Sequence, residues 1–412
     1  MKLKVSITAF IIVVISIILS FRPWIKSIYI IHFSDLHASY QKHYENNKFV
    51  YDRFSRTLAI IDDLRLKYPD AITTYSGNSF TKGDILDHLS KGNITSDLLK
   101  HFKITVMALG TNDFLYGEKS TQYLLDNLNI PILGQSDGPK VFNTIINKVR
   151  LSFITTFKNS KDVMASNQSD IKIHLGNHTD PKRSFDLILS GKEQFSHDFQ
   201  NRGSTPTFTP KGYGKEVVLI KITYNKILEK IVSIGSTIFD SDKYTYENRY
   251  LKRELKKVRK QFANRLNRPK CFIQNKLIRD RIVPWLANQI LSQYNVDGAI
   301  VQRNIPKSNS IQGEISPSKL YALFGAEPHL SLFKTVITGR DLKKMLKDYS
   351  PLNTVFRRPK KIKDLKNYNF IIQSIYWDAD FSKLKLPPSS FKEIEIGDIW
   401  ETFLNVCKKR TK

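Results

Sequence analysis

The chain has 412 residues, of which 41% are hydrophobic and 25% charged, with 65 Lys+Arg against 38 Asp+Glu for a formal net charge of +27. This length exceeds one ordinary core and predicts two domains plus extras, and the apolar fraction excludes a disordered chain. The basic excess would suit nucleic acid, an anionic surface or acidic ligands, yet its clusters are local (252–260, 357–363 and 408–412), and no zinc-finger spacing or aromatic RNA-binding signature accompanies them, so no specific nucleic-acid partner is expected.

The two cysteines, Cys271 and Cys407, form no C-x-x-C pair. Two isolated cysteines are read as plain buried thiols rather than a bridge. At the N-terminus a basic MKLK precedes the apolar run VSITAFIIVVISIILSF, residues 5–21. Its length falls between a signal-peptide core and a full span of roughly 20 residues. No small-x-small cleavage pattern precedes Phe21-Arg22-Pro23-Trp24, so the expectation is an uncleaved signal anchor, with a cleaved export signal as the alternative. Both readings export the bulk of the chain and place it in the periplasm or on the extracytoplasmic face.

Beyond the anchor the pattern is mixed α/β. IYIIHF (28–33) reads as a buried strand, residues 49–67 as a helix, and AITTYSG (71–77) and KITVMALG (103–110) as strands running into glycine. A helix over 121–128 and a strand over 130–134 follow, then strands over 170–176, 186–191 and 216–224. Several strands thus end in Gly or a polar loop at the same relative place, which in a sheet collects those loops along one edge where sites are built. The charged stretch 248–270 reads as a linker helix. After it come a helix over 275–294, a strand over 298–302, a loop carrying G-E-I-S (313–316), a helix over 318–324, a strand over 332–339, a helix over 340–349 and a strand over 370–377.

F-S-D-L-H (33–37), S-G-N-S-F (76–80), A-L-G-T-N-D-F-L-Y-G (108–117), I-P-I-L-G (130–134), D-L-I-L-S-G (186–191), G-Y-G-K-E-V (212–217), G-E-I-S and T-G-R-D-L-K (338–343) stand in an order that resembles the bacterial 5′-nucleotidase family over roughly residues 28–380. The resemblance implies a four-layer αββα metallophosphoesterase sandwich over 27–247, a linker helix over 248–270 and an α+β 5′-nucleotidase C-terminal domain over 271–412, with residues 1–26 as signal anchor or signal peptide. Relatives of that kind hydrolyse phosphate esters with two divalent metals, Mn, Zn or similar, which activate a water and clamp the phosphate oxygens.

Position by position, the resemblance implies a site that has lost most of its ligands. Asp35 and His37 match the first pair of metal ligands. Asn78 stands where a bridging Asp is expected, and a neutral amide bridges two cations poorly. Thr111 replaces a ligand Asn, and Asn112 replaces the catalytic His, with Asp113 beside it. Asn177 takes the place of a His ligand, with His178 adjacent, and the closing G-H-T-H reads Gly191-Lys192-Glu193-Gln194. In the second domain Gln302 and Lys307 fall in the substrate loop, where Lys replaces an Arg, and the base-stacking Phe falls near Phe324.

Two functional readings follow. The first is an exported pseudoenzyme that binds a nucleotide, a phosphoester or a protein partner without hydrolysing it, with no metal or one weakly bound. The second is an active metal-dependent hydrolase whose site is rebuilt from Asp35, His37, Asp113, His178, Glu193 and His197.

Overall fold

The structure, a computed structural model, describes residues 24–38, 43–45, 48–50, 53–80, 84–114, 116–134, 141–155, 169–176, 185–191, 205–302, 310–324, 331–348, 354–357, 361–373, 394–398, 402–403 and 407. The apolar run 5–21 therefore lies outside the described residues, and among the described residues no helix is long and apolar enough to cross a membrane. The chain divides into two compact units, Met1–Thr81 with Ser90–Leu255 and Lys82–Leu89 with Lys256–Lys412.

The Ile- and Tyr-rich run before Asp35 forms β1 (Ile25–Phe33), as β-branched and aromatic residues favour a pleated, half-buried surface. A short hairpin, β2 (His43–Glu45) and β3 (Lys48–Val50), leads to helix α1 (Arg53–Lys67). Next come β4 (Ile72–Tyr75), α2 (Ile85–Ser90), α3 (Asn93–Leu99), β5 (Val106–Ala108), α4 (Glu118–Asp126) and β6 (Ile132–Leu133). The remaining strands of the first unit are β7 (Val141–Ile146), β8 (Val149–Ile154), β9 (Ile171–Leu175), β10 (Leu187–Leu189), β11 (Thr207–Phe208), β12 (Glu216–Asn225) and β13 (Lys230–Asp240).

These strands make two sheets, ordered β13-β12-β1-β4-β5-β6 and β11-β10-β9-β8-β7. Strands β1, β4, β5 and the edge strand β6 are parallel, as are β8 to β11, while β12 and β13 close the first sheet in antiparallel fashion. The period-2 alternation of strands sends Ile28 and Ile30 of β1, Ile220 and Ile222 of β12, Leu151 and Phe153 of β8 and Ile171, Ile173 and Leu175 of β9 into one core between the sheets. On the outer face of the first sheet Phe33 stacks on Phe102 at 5.4 Å, and Phe54 of α1 meets Phe102 edge-on at 5.0 Å. Parallel strands point their C-terminal ends the same way, so Ser34, Ser76, Leu109, Gly176 and Ser190 all leave the sheets at one edge.

Helix α5 (Arg249–Asn267) buries Leu251 and Leu255, and the division between the units falls inside it. The second unit then runs β14 (Cys271–Ile278), α6 (Arg279–Tyr294), β15 (Gly298–Gln302), β16 (Ser310–Ile315), α7 (Pro317–Phe324), β17 (Ser331–Thr338), α8 (Gly339–Asp348), β18 (Thr354–Arg357), β19 (Asn367–Gln373) and β20 (Ile394–Asp398). β14 pairs with β16, and a five-stranded sheet runs β18-β15-β19-β17-β20. The fold class is the one the sequence implies, a metallophosphoesterase-type sandwich followed by an α+β domain.

Three expectations are corrected in the second unit. The helix read from residue 275 begins at Arg279, because 271–278 is drawn into an antiparallel ladder with β16. Gly313, Glu314 and Ile315, read as loop, belong to that ladder. The cysteines are not plain thiols: Cys271 and Cys407 form a disulfide with their Cα atoms 5.5 Å apart. A sequence separation of 136 residues hides this proximity, which only the fold of the second unit creates. A loop of that length makes the bridge worth about 5 kcal/mol at most in the chain-entropy account. Cys271→Ser should therefore lower the urea stability of the second unit by about 2–5 kcal/mol. Hydrogen exchange resolved by segment should show faster exchange in β14 and β16, with β1 and β12 unchanged.

Candidate functional site

Two loops at the shared edge are zipped together by their backbones. The pairing of Phe33 with Tyr75 brings the ends of β1 and β4 side by side. Beyond the strands Asp35 N–H donates to Gly77 O at 3.0 Å, and His37 N–H to Asn78 O at 3.0 Å. Asp35, His37, Ala38 and Asn78 all have positive φ, between 49° and 61°. That region costs an L-residue roughly 1–2 kcal/mol, and it persists where the surroundings over-determine it, as at sites that aim side chains.

The surroundings here are built on Asp113. Its side chain is completely buried, and its two oxygens accept four backbone N–H groups: Ser79 at 2.5 Å and Phe80 at 3.0 Å on Oδ1, Asn78 and Gly110 each at 2.8 Å on Oδ2. Burial pushes the carboxyl above its usual range, and the four donors oppose that shift. None of the four can accept a proton, so the geometry selects the ionised form. Asp113 thereby ties the 76–80 loop to the 108–113 loop. The loops meet closely enough that a Cβ on Gly77 would lie 2.3 Å from Gly110 N, and one on Gly110 would lie 2.1 Å from Asn78 Oδ1, which explains both glycines. The expectation that Asp113 is a reactive group is corrected, since its lone pairs are spent on backbone.

Asn78, at the expected bridging position, donates from Nδ2 to Asp35 Oδ1 at 2.6 Å. His37 Nε2 stands 3.9 Å from the same oxygen, and its ring stacks on Tyr213 at 4.5 Å, with Tyr213 N–H donating to Asp35 O at 2.5 Å. The Tyr75 hydroxyl, held far above its ordinary pKa by burial and then by the Asp113 charge, receives Leu36 N–H at 3.1 Å and meets Ser79 Oγ at 2.9 Å.

A group that sequence reasoning missed lies beneath. His32 is wholly buried, with Nδ1 3.0 Å from Thr74 Oγ1 and Nε2 3.3 Å from Ser190 O, so it bridges the two sheets at the site edge. Because a carbonyl only accepts, Nε2 carries the proton and Nδ1 takes the Thr74 hydroxyl hydrogen. Burial lowers its pKa from 6.5 to about 4. Its place in an apolar strand, on the core-facing phase of Ile28 and Ile30, was the available signal.

Among the described residues, Asn78 does not suit the bridging position of a two-metal centre. A bridging ligand must offer lone pairs to two cations. Asn78 instead turns an N–H toward Asp35, the first ligand, and rests its carbonyl against Gly110. Among the described residues no group of three His, Cys, Asp or Glu could hold a metal ion. Asn112 lies in the 3₁₀ turn Thr111–Phe114, its side chain undescribed. Asn177, His178, Lys192, Glu193, Gln194, His197 and Lys307 lie outside the described residues, and Gln302 ends β15 with its side chain likewise undescribed. Phe324 is not a stacking platform: it is fully buried and packs edge-on against Phe403 at 5.6 Å, in the core of the second unit.

No protein-family description matches this sequence, and no curated protein sequence does. The fold has solved relatives. A putative 5′-nucleotidase from Staphylococcus aureus in complex with alpha-ketoglutarate superposes with a TM-score of 0.71 at 10% identity, over 92% of this chain and 96% of its own. A 5′-nucleotidase precursor from Thermus thermophilus gives 0.62 at 11%, over 93% and 97%. The sulfate thiohydrolase SoxB from Thermus thermophilus, in complex with glycerol, gives 0.60 at 12%, over 93% and 94%. The chain has the fold that these proteins share, and a fold that hosts both nucleotidases and a thiohydrolase does not choose a substrate by itself.

Two outcomes follow from the site. Asp113→Asn turns an NH₂ group toward backbone donors and should cost about 3–5 kcal/mol, read as a lower urea midpoint. For His32, the unfolded chain binds a proton below about 6.5 while the folded one does not until about 4. Stability should therefore fall as pH drops through that window, by about 3 kcal/mol in all, and level off below it. Unfolding free energies measured across pH 4–7 should lose this slope in His32→Gln, whose amide can still donate to Ser190 O.

Proposed function

We propose that this chain is an exported 5′-nucleotidase-like protein that keeps the fold as a binding scaffold and lacks the two-metal hydrolytic site. The observation that carries this reading is the Asn78 Nδ2 to Asp35 Oδ1 hydrogen bond of 2.6 Å. It places an internal donor on one oxygen, Oδ1, of the carboxylate that a cation would otherwise neutralise. The spending of Asp113 on four backbone N–H groups supports it further, because it removes one carboxylate from any rebuilt ligand set. The nucleotidases that share the fold suggest a nucleotide or phosphoester as ligand, held at the loop edge of the first unit.

Export rests on the basic start and the apolar run 5–21, which we read as a membrane tether with the remainder on the extracytoplasmic side. The Cys271–Cys407 disulfide supports an oxidising compartment, since such bridges persist there and are rare in reducing ones.

Metal stoichiometry tests the proposal. After equilibration with Mn²⁺ and removal of loose ions, the protein and its Asp35→Ala variant should both retain close to none, and neither should hydrolyse p-nitrophenyl phosphate above background. About two bound ions per chain, lost in Asp35→Ala, would instead establish the rebuilt hydrolase. Asn78→Asp supplies a second readout. It sets two carboxylates in contact, so its melting temperature should fall without metal and recover with Mn²⁺, whereas the native protein's should not respond.

A further inference from the structure

We propose that β13 is a self-recognition edge, onto which a second copy of this chain adds its own β13 in antiparallel register about Gly235. Among the described residues β13 pairs with β12 alone, leaving the other side of an 11-residue strand with unpaired backbone groups. That side is roughly 35 Å long. Edges of such length are normally blunted by proline, by charge or by cover. β13 reads KIVSIGSTIFD, with no proline and with charge only at its first and last residues. Val232 is 54% exposed and Ile238 52% exposed, the apolar content that an open edge ordinarily avoids.

The strand complements itself when reversed. Pairing centred on Gly235 sets Lys230 of one copy against Asp240 of the other, and Asp240 against Lys230, so both ends meet opposite charge. Between them Ser233 faces Thr237 and Ile234 faces Ser236. Opposite-charge and hydroxyl pairs directly across an antiparallel ladder are among those that stabilise it, and a register slip would forfeit both ion pairs. The register shift at Val232 puts Lys230 about one residue off direct opposition to Asp240 of the other copy, an offset of about 3.4 Å that the length of a lysine side chain can cover.

Gly235 supplies an independent observation. Its φ is not among the positive ones, and nothing lies within 4 Å of where its Cβ would sit. Among the described residues nothing asks for glycine there, although glycine inside a strand weakens it and often marks the close approach of another backbone. The contact area of two edges is small, so the pairing is reversible rather than obligate.

Single cysteines in the full-length chain, oxidised with glutathione disulfide, test the register, and the native cysteines are already bridged. Directly opposed residues of an antiparallel pair have Cα atoms about 4.5–5.5 Å apart, within disulfide reach. Ser233 would stand about 13 Å from its own copy. Gly235→Cys should therefore form covalent dimer at least about tenfold faster than Ser233→Cys, and adding Lys230→Asp to Gly235→Cys should slow it about tenfold by setting Asp against Asp. Equal rates for the two cysteines, no covalent dimer from Gly235→Cys, or a rate indifferent to Lys230→Asp would each overturn the proposal.

Discussion

The buried carboxylate of Asp113 is the constraint on which the loop edge depends. Two parallel strands deliver two loops to one place, but parallel pairing ends at Phe33 and Tyr75, and beyond it the backbone has no regular partner. Four N–H groups from residues 78, 79, 80 and 110 would be left without acceptors in a buried turn. One ionised side chain collects all four. The left-handed conformations of Asp35, His37, Ala38 and Asn78 then follow as consequences of a loop that has little freedom left. Conversely, the desolvation of Asp113 is tolerable because every lone pair has a donor, the condition under which a buried charge is kept.

The same accounting shows what an amide at position 78 does to the charge balance of the loop edge. Carboxylates gathered within a few Å repel one another, and in a metalloenzyme the metal offsets that repulsion. Replacing a bridging carboxylate by the Asn78 amide removes a negative charge and adds an N–H donor in one step. The donor goes to Asp35, the carboxylate most in need of it. His37 lies flat against Tyr213, with the ring centroids 4.5 Å apart.

Much of this was legible in the sequence, and the boundary of legibility is physical. Strands such as Ile25–Phe33 and Ile171–Leu175 announce themselves because buried parallel strands are nearly continuous apolar runs. Asp35 and His37 stand out because they follow such a run, and Asn78 is singled out by the order of motifs that the chain shares with the 5′-nucleotidase family. β7 and β13 went unread because their partly exposed residues dilute that signal. The end of β14, from Asn275, was taken for helix because its Asn and Lys suit either state, and only the distant partner β16 decides between them. The disulfide and the role of Asp113 were hidden for a shared reason. Residue type tells what a group can donate or accept, and tertiary contact alone tells which groups it meets.

The loop edge also has an electrostatic preference. Asn78 donates to Asp35 at 2.6 Å, and both oxygens of Asp113 are engaged by backbone N–H groups. Neutralisation is likewise what a strongly basic chain can accommodate, since a formal charge of +27 already disfavours further cations nearby. An anionic ligand gains from the same field. A field of this sign favours anionic over cationic partners near the surface.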